Sequence, residues 1–208
     1  MSNERKREQR SISKIEFRAE DGEQKVVRGY AALFNSETQL APNVVEKIAP
    51  GAFASSIGGD VRALWNHNMD LILGRTTNGS LILREDGTGL AFELRMPDTT
   101  FGMDKYKEIA SGLVTGVSFG FFVNKESWVR GSDTTPHMRI LEDVELLEIS
   151  PTPFPAYEGT SVSARSLEQV IKEKLAEWGG EAAAQRSFDA ERKQRHLELV
   201  LKTEAAIR

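Results

Sequence analysis

Hydrophobic and polar positions alternate with a period of two through most of the first 150 residues, in short runs separated by turn-forming residues. Residues 11–34 read as two strands joined at Asp21-Gly22, a strong hairpin signal. Pro42-Asn43 marks a loop before a short strand, 44–49, and Pro50-Gly51-Ala52-Phe53 reads as the entry to a short helix ending near Ile57. Strands are expected at 61–65, 71–76, 79–85 and 89–96, with turns at Asn78-Gly79 and Asp86-Gly87. Met103, Tyr106, Ile109 and Ala110 share one side of a helix over 103–111, and Gly112 stands past its end as a stop signal. A strand from 116 to about 130 follows, then a polar loop at 131–136 and a last long strand from 137 to 149, ending at Pro151.

Many short strands with closely spaced turns predict a mainly β fold with helices (α+β): a closed or partly open β-barrel flanked by short helices. Beyond Ser163 the period changes. Leu167, Val170, Ile171, Leu175 and Trp178 follow helical spacing, and Gly179-Gly180 breaks that helix. A second helix is expected over about 181–206, with Glu191–Arg195 and Glu198–Lys202 as i,i+4 pairs and a narrow apolar stripe. The expected organisation is a charged flexible arm (1–10), a β-barrel domain (11–164) and a helical tail (165–208) that reads as a detachable interaction segment.

Charge refines this picture. The net charge of −4 divides unevenly: +2 over residues 1–10, −7 over 11–164 and +1 over 165–208. An acidic central region argues against a dedicated nucleic-acid face. No apolar run is long enough to span a membrane, and the polar first ten residues do not read as a secretory signal. The chain has no cysteine, which removes disulfides, thiol nucleophiles and cysteine metal sites and suits a reducing cytoplasm. No zinc-binding H-E-x-x-H, phosphate loop or dinucleotide fingerprint is present, so no cofactor or metal is expected.

Candidate chemistry centres on Gly116-Val117-Ser118-Phe119-Gly120-Phe121. On a strand, Val117, Phe119 and Phe121 share one face, and Gly116, Ser118 and Gly120 the other. A hydroxyl between two glycines has room for close approach, so the glycines read as the wall along which a substrate lies. Gly-x-Ser-x-Gly here is not a nucleophile elbow, because the apolar alternation continues as strand with no helix following. A serine nucleophile needs a base. Of three histidines, His196 lies in the tail and His137 opens a strand after a polar loop. His67 follows the strand 61–65, where a rigid scaffold can present it. For a carboxylate to orient the imidazole, Glu145 and Glu148 both lie near the end of the last strand. Apolar residues of both parities surround them, so alternation leaves the choice open.

The chain resembles the prohead maturation proteases of tailed bacteriophages, serine peptidases similar in fold to the herpesvirus assemblins. The matching segments, in order, are Arg28-Gly29-Tyr30-Ala31-Ala32-Leu33-Phe34-Asn35, Glu46-Lys47-Ile48-Ala49-Pro50-Gly51-Ala52-Phe53, Leu64-Trp65-Asn66-His67-Asn68 with Leu73-Gly74-Arg75, and Gly89-Leu90. The serine strand comes next, followed by Leu147-Glu148-Ile149-Ser150 leading to Pro155-Ala156-Tyr157. The resemblance covers roughly residues 15–164. It implies Ser118 as nucleophile, His67 as general base and Glu148 as third member; because the assemblins use a second histidine there, His137 is an alternative to Glu148.

It also implies a function. Such an enzyme cleaves scaffold, or the scaffold-like leading segment of the major capsid protein, inside the precursor shell in the cytoplasm of an infected bacterium. It commonly cuts itself, and high concentration within a shell would favour a dimer. An extended substrate is expected to pair with an exposed strand. The rival readings are a non-enzymatic assembly factor built on the same barrel and a small-ester hydrolase. A fused protease–scaffold protein is a third.

Overall fold

The computed structural model describes residues 6–12, 18–20, 24–132, 134–153 and 162–178. Eleven strands, two α-helices and a single 3-10 turn at Thr76–Asn78 are formed there. The strands are β1 (Glu8–Ile12), β2 (Arg18–Glu20), β3 (Val26–Leu33), β4 (Thr38–Ala41), β5 (Val44–Ile48), β6 (Arg62–Trp65), β7 (Asn68–Arg75), β8 (Leu81–Glu85), β9 (Gly89–Arg95), β10 (Gly116–Val129) and β11 (His137–Thr152). The helices are α1 (Thr100–Ala110) and α2 (Val162–Glu177).

One sheet runs β1-β10-β11-β5-β4, with β6 on β11 and β7 on β6; the other runs β2-β3-β9-β8. A parallel bridge, Phe34 to Ile48, joins them at one corner. Among the described residues, strand pairing does not close the two sheets into the expected barrel; the fold is mostly β with two helices. Alternation along single strands carries no information on which strands pair at a sheet's edges.

The apolar faces meet in one core. Val117, Phe119 and Phe121 of β10 are buried in it, with Leu83, Leu90, Phe92 and Leu94 of the second sheet. Phe53 packs edge-on against Phe119, ring centroids 5.7 Å apart. The segment around Phe53 is a run of turns closed mainly by i→i+3 bonds (Ala52 to Ala49, Ala54 to Gly51, Ser56 to Phe53), not the expected helix. Its polar groups bond to β11 instead, where Ser56 Oγ donates to the Val144 carbonyl and accepts from the Leu146 amide.

β11 is the spine. It pairs antiparallel with β10 along its length, parallel with β5 at its start and parallel with β6 at Glu148 and Ile149. Between Gly120–Glu148 and Phe121–Leu146 the register slips, leaving Leu147 as an extra residue. This bulge resets the side-chain parity. Val144 and Leu146 face the core before it, Ile149 after it, which explains apolar residues at both parities.

The arm and the tail both depart from expectation. Glu8, Arg10, Glu46 and Arg139 are buried. Arg10 Nε donates to Glu46 Oε1 at 2.5 Å and its Nη2 to Glu8 Oε2 at 2.7 Å. Arg139 donates to Glu8 at 2.8 and 2.9 Å, to Glu46 at 3.0 Å, and to Glu126. Residues 8–10 are thus part of a sheet rather than of a solvated arm. Burial alone would raise the Glu8 pKa, but the hydrogen bonds and charges of Arg139 and Arg10 outweigh it and hold the carboxyl at about 2. The first tail helix is docked too. Ile171 and Leu175 of α2 are buried with Ala41 and Val44, beside Trp128 and Trp178. Each such burial contributes roughly 2 kcal/mol, so α2 is held on the sheet and does not stand away from it. The second expected tail helix lies outside the described residues.

Replacing Arg139 by Leu leaves the buried Glu8 and Glu46 carboxylates sharing Arg10 alone. Breaking a buried ionic network from one side costs about 3–5 kcal/mol. Urea denaturation of Arg139→Leu should read a loss of that size.

Candidate active site

β10 carries Ser118 between two neighbours. Ser11 of β1 lies directly opposite on one side and Ser150 of β11 on the other, so three serines form a row across three strands. The next row is Gln9, Gly120 and Glu148. Register partners in an antiparallel sheet share a face, so this face is polar while Val117, Phe119 and Phe121 enter the core. The alternation expected for the serine strand is observed.

His67 enters from a hairpin. β6 and β7 close through the Trp65–Asn68 pair, leaving Asn66 and His67 as a two-residue turn with φ of 51° and 61°. Positive φ at both central residues matches the twist of the flanking strands. Asn tolerates this region, whereas a histidine there costs about 1 kcal/mol. The turn is clamped to the end of β11. The Asn66 amide donates to the Pro151 carbonyl at 3.2 Å, the His67 amide to Ser150 Oγ at 3.1 Å, and Thr152 Oγ1 to Asn66 Oδ1 at 2.8 Å.

These contacts bring His67 Nδ1 to 2.8 Å from Glu148 Oε1. Ser150 Oγ donates to Glu148 Oε2 at 2.6 Å, and Arg7 Nη2 to Oε1 at 2.6 Å. Burial pushes the Glu148 pKa up. The hydrogen bond and charge of His67, the Ser150 bond and the Arg7 charge outweigh it and hold the carboxyl below its ordinary value. An ionised carboxylate only accepts hydrogen bonds, so the proton between them sits on Nδ1, and in the neutral ring Nε2 carries the lone pair. Nε2 is buried and has no hydrogen-bond partner among the described residues.

The structure therefore joins two of the three expected residues directly. Ser118 lies in the adjacent row. Its Cα is roughly 5 Å from that of Ser150, and Ser150 touches both His67 and Glu148. Ser118 is fully buried, and its Oγ is hydrogen-bonded to Ser11 Oγ rather than to His67.

The two alternative third members lie elsewhere. Glu145 sits opposite Phe122, beyond the bulge. His137 opens β11, eleven residues before Glu148 and roughly 35 Å along an extended strand. It accepts a bond from the Gly131 amide at 3.0 Å and faces the Trp178 ring. His196 lies outside the described residues.

One expectation is corrected. The space beside Gly120 is not open: a Cβ there would lie 2.5 Å from Glu148 Oε1 and 2.6 Å from Arg7 Nη2. The serine stretch itself has β1 and β11 paired on both sides of residues 117–120. Sequence reasoning also missed Arg7, Ser11 and Ser150. Ser150 was accessible to it, standing two residues from Glu148 and hence on the same strand face.

A carboxylate, an imidazole with a free Nε2 and a serine hydroxyl in the neighbouring row are the parts of an acyl-transfer site. Residues 13–173 match the family model of the caudovirus prohead serine proteases. The chain belongs to that family. It is 30% identical over 150 residues to the prohead protease of Enterobacteria phage HK97, an alignment covering 69% of this chain and 61% of that protein. The capsid assembly protease of bacteriophage T4, gp21, is a weaker structural likeness, with a TM-score of 0.40 and 10% identity over 70% of this chain and 98% of that one.

Glu148 also gives the site a pH signature. Its folded pKa lies below the unfolded value, so its stabilisation is present above about pH 4.5 and is lost as pH falls through the folded value. Glu148→Gln should be less stable than the parent at pH 7, with the gap closing below about pH 4.5. Denaturant midpoints at pH 7 and pH 3.5 test this.

Proposed function

We propose that this chain is a serine endopeptidase of prohead maturation. Its substrates are the scaffold-like segment of the major capsid protein and its own chain, and it acts within the assembling shell in the host cytoplasm. The reading is carried by one observation, the His67 Nδ1–Glu148 bond, which in the neutral ring leaves the lone pair on a buried, unpartnered Nε2. Family membership supports the serine chemistry, and the HK97 relative, a prohead protease, supports action in the prohead.

In the proposed mechanism, Ser118 Oγ turns from Ser11 and gives its proton to His67 Nε2 as it attacks the scissile carbonyl. Glu148 stabilises the imidazolium that forms. His67 then protonates the leaving amine, and water assisted by the same nitrogen releases the acyl group. The rival, a non-enzymatic assembly factor, draws on the burial of Ser118 and its bond to Ser11.

Intact masses after co-expression with the cognate capsid precursor separate the two. Wild type should yield a truncated precursor and a trimmed protease. Ser118→Ala and His67→Ala should leave both whole, since loss of either group removes at least about a thousandfold in rate. Full-length masses in all three, with shells assembled, would favour the assembly factor. Equal cleavage in all three would place the active site elsewhere.

A further inference from the structure

Arg7 and Ser11 precede residues 13–173, the part of the chain matched by the family model, yet they reach both ends of the candidate site. The alternation of β1 explains how. Glu8 and Arg10 point into the buried ionic network, whereas Ser11 and Arg7, the residue before β1, reach Ser118 and Glu148 on the opposite face. Arg7 Nη2 lies 2.6 Å from Glu148 Oε1, the same oxygen that meets His67 Nδ1. Gly120 makes this possible, since a Cβ would come within 2.8 Å of both guanidinium nitrogens Nη2 and Nε. The ionic network fixes β1 at this height, so Arg7 is delivered by a built element and not by a loose end.

We propose that Arg7 is a positioning residue of the active site, held by β1 so as to fix the Glu148 carboxylate against His67 Nδ1. The proposal rests on the protease reading above. Two effects follow from one contact. Arg7 restricts the carboxylate to the orientation that receives the imidazole, and its positive charge disfavours protonation of Glu148. The other groups bonded to Glu148 are His67 from the β6–β7 turn and neutral Ser150 from β11. Arg62 of β6, opposite Glu148 in the ladder, directs its guanidinium to Asp60.

The test is cleavage of purified capsid precursor by the purified full chain from pH 5 to pH 9, for wild type, Arg7→Gln and Arg7→Lys. Loss of an orienting partner of this kind lowers activity about tenfold. With the cation gone, protonation of the coupled Glu148–His67 pair is less disfavoured, so the acid limb of Arg7→Gln should move to higher pH. Arg7→Lys should keep the limb near the wild-type position. An Arg7→Gln profile identical to wild type would overturn the proposal. So would a rate loss with an unmoved limb, which would make Arg7 only an anchor for β1. Ser118→Ala and His67→Ala run in the same series. If wild type cleaves and these do too, the protease assignment of the site fails on its own. If Arg7→Gln does not fold, the Arg7→Lys limb still decides, and a limb displaced to higher pH would contradict a charge-based role.

Discussion

The Glu148 carboxylate constrains the rest of this site. A buried ionised group is tolerated only when it is paired and hydrogen-bonded, and Glu148 meets that demand through His67, Arg7 and Ser150. Each partner then imposes a condition on the chain around it. His67 reaches Glu148 only from a tight turn, which requires two left-handed residues in succession. Arg7 reaches it only over a residue without a side chain, and Gly120 is there. Ser150 reaches it only from the same strand face, and the bulge at Leu147 sets that face to the polar side while Ile149 stays in the core. Glycine, bulge and turn are three local exceptions to regular structure with one common cause.

The second constraint is the ionic network of Glu8, Arg10, Glu46 and Arg139. Burying such groups is expensive, and a well-packed apolar replacement is often as stable. What the network adds is register. Arg10 and Arg139 must meet Glu8 and Glu46 together, which locks β1 against β10 with Ser11 opposite Ser118. A strand with the apolar pattern alone could slide by two residues and keep its core face. Bidentate arginine–carboxylate geometry penalises that slip.

Much of the serine strand was legible in the sequence because its signal is local. Val117, Phe119 and Phe121 alternate with Gly116, Ser118 and Gly120, and the period of two places them without reference to the rest of the chain. His67 was legible as a residue just past a strand, although Asn66-His67 lacks the glycine that usually announces a two-residue hairpin. The choice of Glu148 over Glu145 was not legible from alternation, because a bulge changes parity without leaving a compositional mark. β1 was the least legible element. Its core-facing positions are Glu8 and Arg10, and charge at those positions reads as solvent exposure until Glu46 and Arg139, far away in sequence, are brought to meet them. Function came from the ordered family resemblance rather than from any one motif.

Glu148 holds His67 with its proton on Nδ1, so that the neutral ring carries its lone pair on Nε2. Long-range proton–nitrogen NMR of the His67 ring near pH 8, assigned by comparison with His67→Gln, reports the tautomer directly. A protonated Nδ1 and a bare Nε2 are expected in the wild type, with that preference lost in Glu148→Gln. A wild-type ring protonated on Nε2 would contradict it, since that nitrogen could not then accept the Ser118 proton.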